Sequence, residues 1–199
     1  MTREEFFALV NARRGHFVYE SGYHSDLWLD LETLCRRPAV VQRYAAELAR
    51  SVSGWRPDVI CGPVVEGAFV GSMVASELAC DFVYTTRVAD PSGEGLFRVQ
   101  YPLPAVLSSV VAGRRVIIVN DVISAGSAVR GTVQSLRAAS ADVVGVACLV
   151  SLGNAFQAYA SEQGLPVQGL LQLHDNNLWE PKACPLCLNK VAVENLAAH

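Results

Sequence analysis

The sequence predicts an α/β protein built on a doubly wound, mainly parallel sheet. Short apolar runs carry this expectation, because DVICG (58–62), VIIVND (116–121) and DVVGVACLVSL (142–152) alternate with segments of helical periodicity. Strands covered on both faces read as nearly continuous apolar runs, and alternation with helices is what parallel crossovers require. Length is the second observation: 199 residues, 51% apolar, can bury a core without disulfides or metals. The third is continuity, since no linker, repeat or low-complexity tract divides the chain. One domain is expected, with an N-terminal segment (1–36), an α/β core (37–175) and a tail (176–199).

The elements follow in order. Thr2 precedes an acidic first turn and Phe6, Phe7, Leu9 and Val10, a short capped helix within residues 2–13. HFVYESGYHSDLWLDLETL alternates apolar residues on both sides of Ser21-Gly22, giving two short strands around a turn. Pro38 opens PAVVQRYAAELARSV, a helix with apolar positions near 3–4 spacing. Strand 58–62 leads through GPVVEGA into a helix reaching Leu78, and DFVYTT (81–86) is the next strand. Residues 88–104 combine Gly, Pro and mixed charge, so they read as a long loop or extended hairpin. Strand 116–121, helix 126–139, strand 142–152, helix 154–163 and strand 166–173 complete the series.

Composition excludes several functions. The net charge of −3 and the lack of any lysine or arginine run leave no footprint for nucleic acid. The longest apolar runs are too short for a bilayer, and MTREEFFALVNARRG lacks the apolar core of a signal peptide, so the expectation is a cytoplasmic protein with no membrane partner. The six cysteines stand mostly in apolar contexts, where they behave as small hydrophobes.

The richest chemistry lies in RVIIVNDVISAGSAVRG (115–131). An apolar strand delivers Asn120-Asp121 to the sheet edge, and small residues then open a helix. Backbone N–H groups of Ser124, Ala125, Gly126, Ser127 and Ala128 can converge on an anion beside the helix N-terminus, with two hydroxyls to donate. The pattern has neither the G-x-G-x-x-G of a dinucleotide site nor a P-loop lysine. Spacing alone is equally compatible with a plain strand–helix turn in which Ser127 is the N-cap.

This stretch resembles the phosphoribosyl-pyrophosphate (PRPP) signature of type I phosphoribosyltransferases: four apolar residues, two acids, then a small-residue loop. FVYESGYHSDLWLDLETL is similar to the N-terminal segment of the orotate phosphoribosyltransferases, and LWEPKACPLC to the tail of one branch of them. The resemblance implies the type I phosphoribosyltransferase fold, with residues 1–36 as a hood, and a dimeric enzyme of pyrimidine biosynthesis using Mg²⁺ with PRPP. It implies transfer of a 5-phosphoribosyl group to a nucleobase, orotate being the leading acceptor. The loop 124–128 would hold the 5′-phosphate, and Asp121 would bind the ribose hydroxyls and stabilise charge on the ring. Asn120 takes the place of the second ribose-binding acid. GPVVEGA stands at the pyrophosphate loop, through Val65, Glu66 and Gly67, and Arg87 at a basic pyrophosphate contact. Tyr23 and His24 stand near the base.

Three departures qualify these expectations. Residues 88–104 contain no lysine or histidine, where the orotate enzymes carry a lysine-rich loop. SLGNA replaces the Asp-Arg that grips the orotate carboxylate, and Tyr23 replaces a basic residue. A different acceptor base, or a PRPP-binding regulator without turnover, therefore stands as the alternative.

Cys184-Pro185-Leu186-Cys187 has the spacing of half a zinc knuckle. Cys35, His174, His199 or a partner subunit are conceivable completions. One pair alone favours a turn with two packed thiols, so structural zinc is the lesser reading.

Overall fold

The structure, a computed structural model, describes residues 1–19, 22–89, 99–174 and 177–194. Helix α1 (Arg3–Leu9) begins with a capping box: Glu5 N–H donates to Thr2 Oγ1 at 3.2 Å, and Thr2 N–H to the Glu5 carboxylate at 2.7 Å. The helix is shorter than expected, because the backbone turns at Asn11 (φ 43°) into a strand at Arg13. Strands β1 (Arg13–Val18) and β2 (His24–Trp28) pair antiparallel as the sequence predicts, turning at Gly22 (φ 80°), while Ser21 lies outside the described residues.

The core then alternates as expected. Helix α2 (Pro38–Val52) precedes β3 (Val59–Pro63), α3 (Glu66–Leu78) and β4 (Asp81–Thr85). Short strands β5 (Val88–Ala89) and β6 (Val99–Gln100) pair antiparallel, so the described ends of 88–104 form a hairpin base; residues 90–98 lie outside the described residues. Next come α4 (Ser108–Val111), β7 (Arg115–Ile123), α5 (Ser127–Ala138), β8 (Asp142–Leu152), α6 (Ala155–Glu162) and β9 (Val167–Leu173). The tail adds β10 (Leu178–Trp179) and α7 (Pro185–Leu188).

Five parallel strands form the central sheet in the order β4-β3-β7-β8-β9. One apolar cluster, including Phe6, Leu48, Val70, Ile117 and Leu149, lies beneath α1, α2 and α3. The other, including Cys61, Ile118, Val133, Cys148 and Phe156, lies beneath α5 and α6. Apolar side chains on both faces explain why the strands lack a polar alternation. Burial pushes the Cys61 and Cys148 thiols up to about 12, so both are inert apolar filling.

β10 joins the N-terminal hairpin on the far side of β2, with Leu178 opposite Ser25 and Trp179 opposite His24. The two ends of the chain thus share one small sheet. No helix among the described residues is long and apolar enough to cross a membrane.

Candidate active site

The sheet order reverses between β3 and β7: the chain passes from β3 outward to β4, then returns to the other side of β3. Ligands of open α/β sheets bind beyond the strands' carboxyl ends at such a switch point. The segments 64–68 and 120–128 meet there.

Pairing explains how the crevice opens. β3 hydrogen-bonds to β7 only from Val116 to Ile118, whereas β7 continues beside β8 as far as Ile123. Asn120 and Asp121 therefore belong to the strand rather than to a loop after it, held by β8 on one side and released by β3 on the other. The turn after β3 occupies the gap. Its Val64–Val65 peptide is cis, and Val64 N–H donates to Thr85 O at 3.0 Å. Two glycines permit this approach: a Cβ on Gly62 would come within 2.5 Å of Gly67 O, and one on Gly67 would overlap Asn120 Oδ1.

Asn120 and Asp121 differ in their local bonding. The Asn120 amide donates to Val122 O at 2.8 Å. Asp121 is 5% exposed, and its Oδ2 has no hydrogen-bond partner among the described residues. Burial, with the Glu66 charge added, pushes its carboxyl up to about 7, partly opposed by the Val122 backbone N–H. A buried acceptor without a donor is costly, so this carboxylate is preorganised for donors supplied from outside the chain. Glu66 is the first residue of α3, where the helix dipole favours an acid.

The small-residue loop is braced from behind. Arg130 Nε donates to Ala125 O at 3.1 Å, and its guanidinium lies 4.3 Å from the centroid of the Tyr159 ring. Gly126 is the N-cap of α5 at φ 78°, so the alternative with Ser127 as cap is corrected: Ser127 is the first helical residue. A Cβ on Gly126 would overlap the Phe156 ring. Among the described residues no side chain caps the helix, which leaves its first N–H groups facing the loop beside half-exposed Ser124, Ser127 and Ala128. Arg130 was invisible to sequence reading, because its role depends on a loop and on helix α6, which only the fold brings together.

Arg87 is exposed and follows β4 at the same carboxyl edge, where Thr86 N–H donates to Pro102 O at 2.9 Å. Thr85 and Thr132 share a buried hydroxyl bond of 2.8 Å that ties β4 to α5. Half-buried Val64 and Glu66 flank Val65, which is 55% exposed.

Tyr23 and His24 lie at the turn end of the antiparallel hairpin rather than in the central sheet. Tyr23 is half-buried in the turn and accepts Tyr19 N–H at 2.9 Å. His24 is 8% exposed, and its Nδ1 lies 2.9 Å from His16 Nε2 and 3.3 Å from Cys187 Sγ. The expected completions of Cys184 and Cys187 change with it. Cys35 packs against the first core, His174 is exposed, and His199 lies outside the described residues; His16 and His24 are the neighbours instead. The hairpin register was the missed signal, because it places these two histidines together.

Residues 28–179 match the family of the phosphoribosyl transferase domain. Among curated relatives, the orotate phosphoribosyltransferase of Methylorubrum populi is 30% identical over 184 residues, covering 92% of this chain and 87% of that protein. The orotate phosphoribosyltransferase of Caldanaerobacter subterraneus subsp. tengcongensis is 26% identical over 92% of this chain and 89% of its own length. Among solved structures, Leishmania donovani UMP synthase superposes with a TM-score of 0.65 at 26% identity, over 86% of this chain and 36% of that one. The matched span runs from the end of β2 through β10 and contains both segments of the switch-point crevice, so the chain belongs to the phosphoribosyl transferase family.

Proposed function

We propose that this protein is an orotate phosphoribosyltransferase, moving the 5-phosphoribosyl group of PRPP onto orotate in pyrimidine nucleotide synthesis. A base nitrogen attacks C1′ of PRPP; the N–C1′ bond forms as the C1′–O bond breaks, and the electron pair leaves on pyrophosphate. The observation that carries the reading is the buried Asp121 carboxylate, whose Oδ2 is unpaired among the described residues, beside a small-residue loop at a helix N-terminus. In this reading N–H groups and hydroxyls of Ser124, Ala125, Gly126, Ser127 and Ala128 receive the 5′-phosphate. Asp121 accepts from the ribose hydroxyls and stabilises positive charge developing on the ring. Asn120, Val65, Glu66 and Gly67 shape the ribose and pyrophosphate side, and Arg87 supplies a cation at the same edge. The Glu66 and Asp121 carboxylates are hard oxygen donors suited to Mg²⁺. Mg²⁺ bound with PRPP supplies neutralisation of the leaving pyrophosphate.

A second reading, a different acceptor, is favoured by one feature. Where the resemblance expects an arginine, Gly153 lies at φ 62° and Asn154 is the N-cap of α6. Pyrophosphate release from PRPP and Mg²⁺ is expected with orotate. Release with another base alone moves the acceptor, and silence with every base while PRPP binds leaves the regulatory reading.

The charge missing at Asn120 makes a separate prediction. Asn120→Asp adds negative charge beside the developing cation but turns the donor facing Val122 O into an acceptor. Lower stability by about 1–3 kcal/mol with higher turnover per folded molecule is expected. Denaturant titration and single-turnover rates measure the two, and lower turnover with an intact fold refutes the charge argument.

We also infer a homodimer in the cytoplasm. Exposed Phe69, Tyr84 and Val88, on α3, edge strand β4 and β5, supply apolar surface for the pairing, which light scattering tests.

A further inference from the structure

We propose that His16, His24, Cys184 and Cys187 form a closed, structural zinc site that clamps the C-terminal tail onto the N-terminal hairpin. The site lies outside the switch-point crevice and goes beyond the transferase reading. One ligand atom from each residue lies within 4.8 Å of all the others.

The fold converges these side chains from distant parts of the chain. Val18 stands opposite His24, and His16 is two residues before Val18, so both imidazoles leave the hairpin on the same face. The register shift between Arg14 and Phe17, in the stretch holding Gly15 and His16, adjusts their approach. Pairing of β10 with β2 delivers the tail, and the turn at Pro181–Ala183 swings Cys184 under the histidines. Beyond α7 the tail returns: Glu194 N–H donates to His16 O at 2.7 Å.

Hydrogen bonding within the protein does not account for the arrangement. His16 Nδ1 lies 2.9 Å from Val191 O, which can only accept, so Nδ1 carries the proton and Nε2 presents one lone pair. Three groups crowd that lone pair: His24 Nδ1 at 2.9 Å, Cys184 Sγ at 3.4 Å and Cys187 Sγ at 3.7 Å. One lone pair cannot serve three donors well, whereas one cation at the centre serves all four residues.

The nitrogen–sulfur distances fit zinc. With Zn–N near 2.0–2.1 Å and Zn–S near 2.3 Å, a tetrahedron has edges of about 3.3 Å between nitrogens and about 3.6 Å from nitrogen to sulfur. Three of the nitrogen–sulfur separations are 3.3, 3.4 and 3.7 Å, whereas His16 Nε2 and His24 Nδ1, 2.9 Å apart, must open by about 0.4 Å to take the cation. Two thiolates, their protons released to solvent, balance the dication, so the buried centre is neutral. The Val191 carbonyl orients His16 as an outer partner of a metal-bound histidine does. Four protein ligands leave no open position, as in structural zinc sites.

The test uses the full-length chain purified without a metal-affinity step. Metal analysis is expected to find about one zinc per chain, falling at least tenfold in Cys187→Ser and His16→Ala. Stripping the unmutated protein with a chelator should lower its melting temperature and expose the tail to protease, with zinc restoring both. Cobalt added to the stripped protein should give tetrahedral ligand-field bands with thiolate charge transfer. The proposal is overturned if the folded, stripped protein binds neither zinc nor cobalt, or if Cys187→Ser retains full metal. A native Cys184–Cys187 disulfide, found by mass spectrometry, overturns it as well. None of these readouts depends on PRPP turnover.

Discussion

Asp121→Asn is expected to remove most turnover while making the ligand-free protein more stable above neutral pH. The first effect comes from charge. An amide keeps the size of the side chain and can still meet a ribose hydroxyl, but no longer offsets positive charge on the ring, a loss on the order of 10²-fold or more in kcat. The second comes from burial. The carboxyl is displaced from 3.8 to about 7, chiefly because the interior disfavours its charged form. Between those values the native state holds a proton that the unfolded chain has released, so stability falls as pH rises and stays low above 7. The ceiling on this loss is on the order of 4 kcal/mol. The variant's own buried amide gives part of it back, so a net gain of about 1–3 kcal/mol at pH 8 is expected. Urea titrations at pH 5 and pH 8 measure it: the unmutated protein should lose stability between them, and Asp121→Asn should lose much less. Equal slopes would show that Asp121 is not the buried acid described here.

PRPP binding should reverse the same balance. Ribose hydroxyls donating to Oδ2 favour the ionised carboxylate, so binding near pH 6.5 should release protons, and Asp121→Asn should release fewer. Calorimetry in two buffers of different ionisation enthalpy reads this directly.

Gly67→Ala is the second large effect, and it is steric. A methyl there would overlap Asn120 Oδ1 and approach two Pro63 ring atoms at 3.2 Å. Overpacking of this kind costs about 1–3 kcal/mol. Because the displaced atom belongs to the crevice, PRPP affinity should fall along with the melting temperature. Truncating the neighbour should relieve the clash, so Gly67→Ala with Asn120→Ala is expected to be more stable than the sum of the single changes, by about 1 kcal/mol or more. Gly54→Ala, which meets nothing within 4 Å among the described residues, is the control and should be near neutral. Additive single effects would mean that the turn moves away without disturbing Asn120.

The alternation of strands and helices was legible because both faces of each central strand are apolar, a pattern that local sequence carries in full. Boundaries were less legible. The strand expected at 116–121 extends to Ile123, because β8 keeps pairing with it after β3 has stopped. The same distinction separates the crevice from its details. Small residues after an apolar strand announce a place for an anion, since they are consecutive in the chain and act through their own backbone. The raised pKa of Asp121 is different, for it depends on burial and on Glu66, more than fifty residues earlier in the chain.

His16, His24 and CPLC mark the clearest division. Sequence showed two cysteines at knuckle spacing and left their partners open among Cys35, His174, His199 and another subunit. The pairing of β1 with β2, and of β2 with β10, chose His16 and His24 instead. Local order along the chain determines periodicity, turns and the chemistry of consecutive residues. Strand register and burial determine which distant side chains share a volume, and thus which acid has its pKa raised and which four ligands converge.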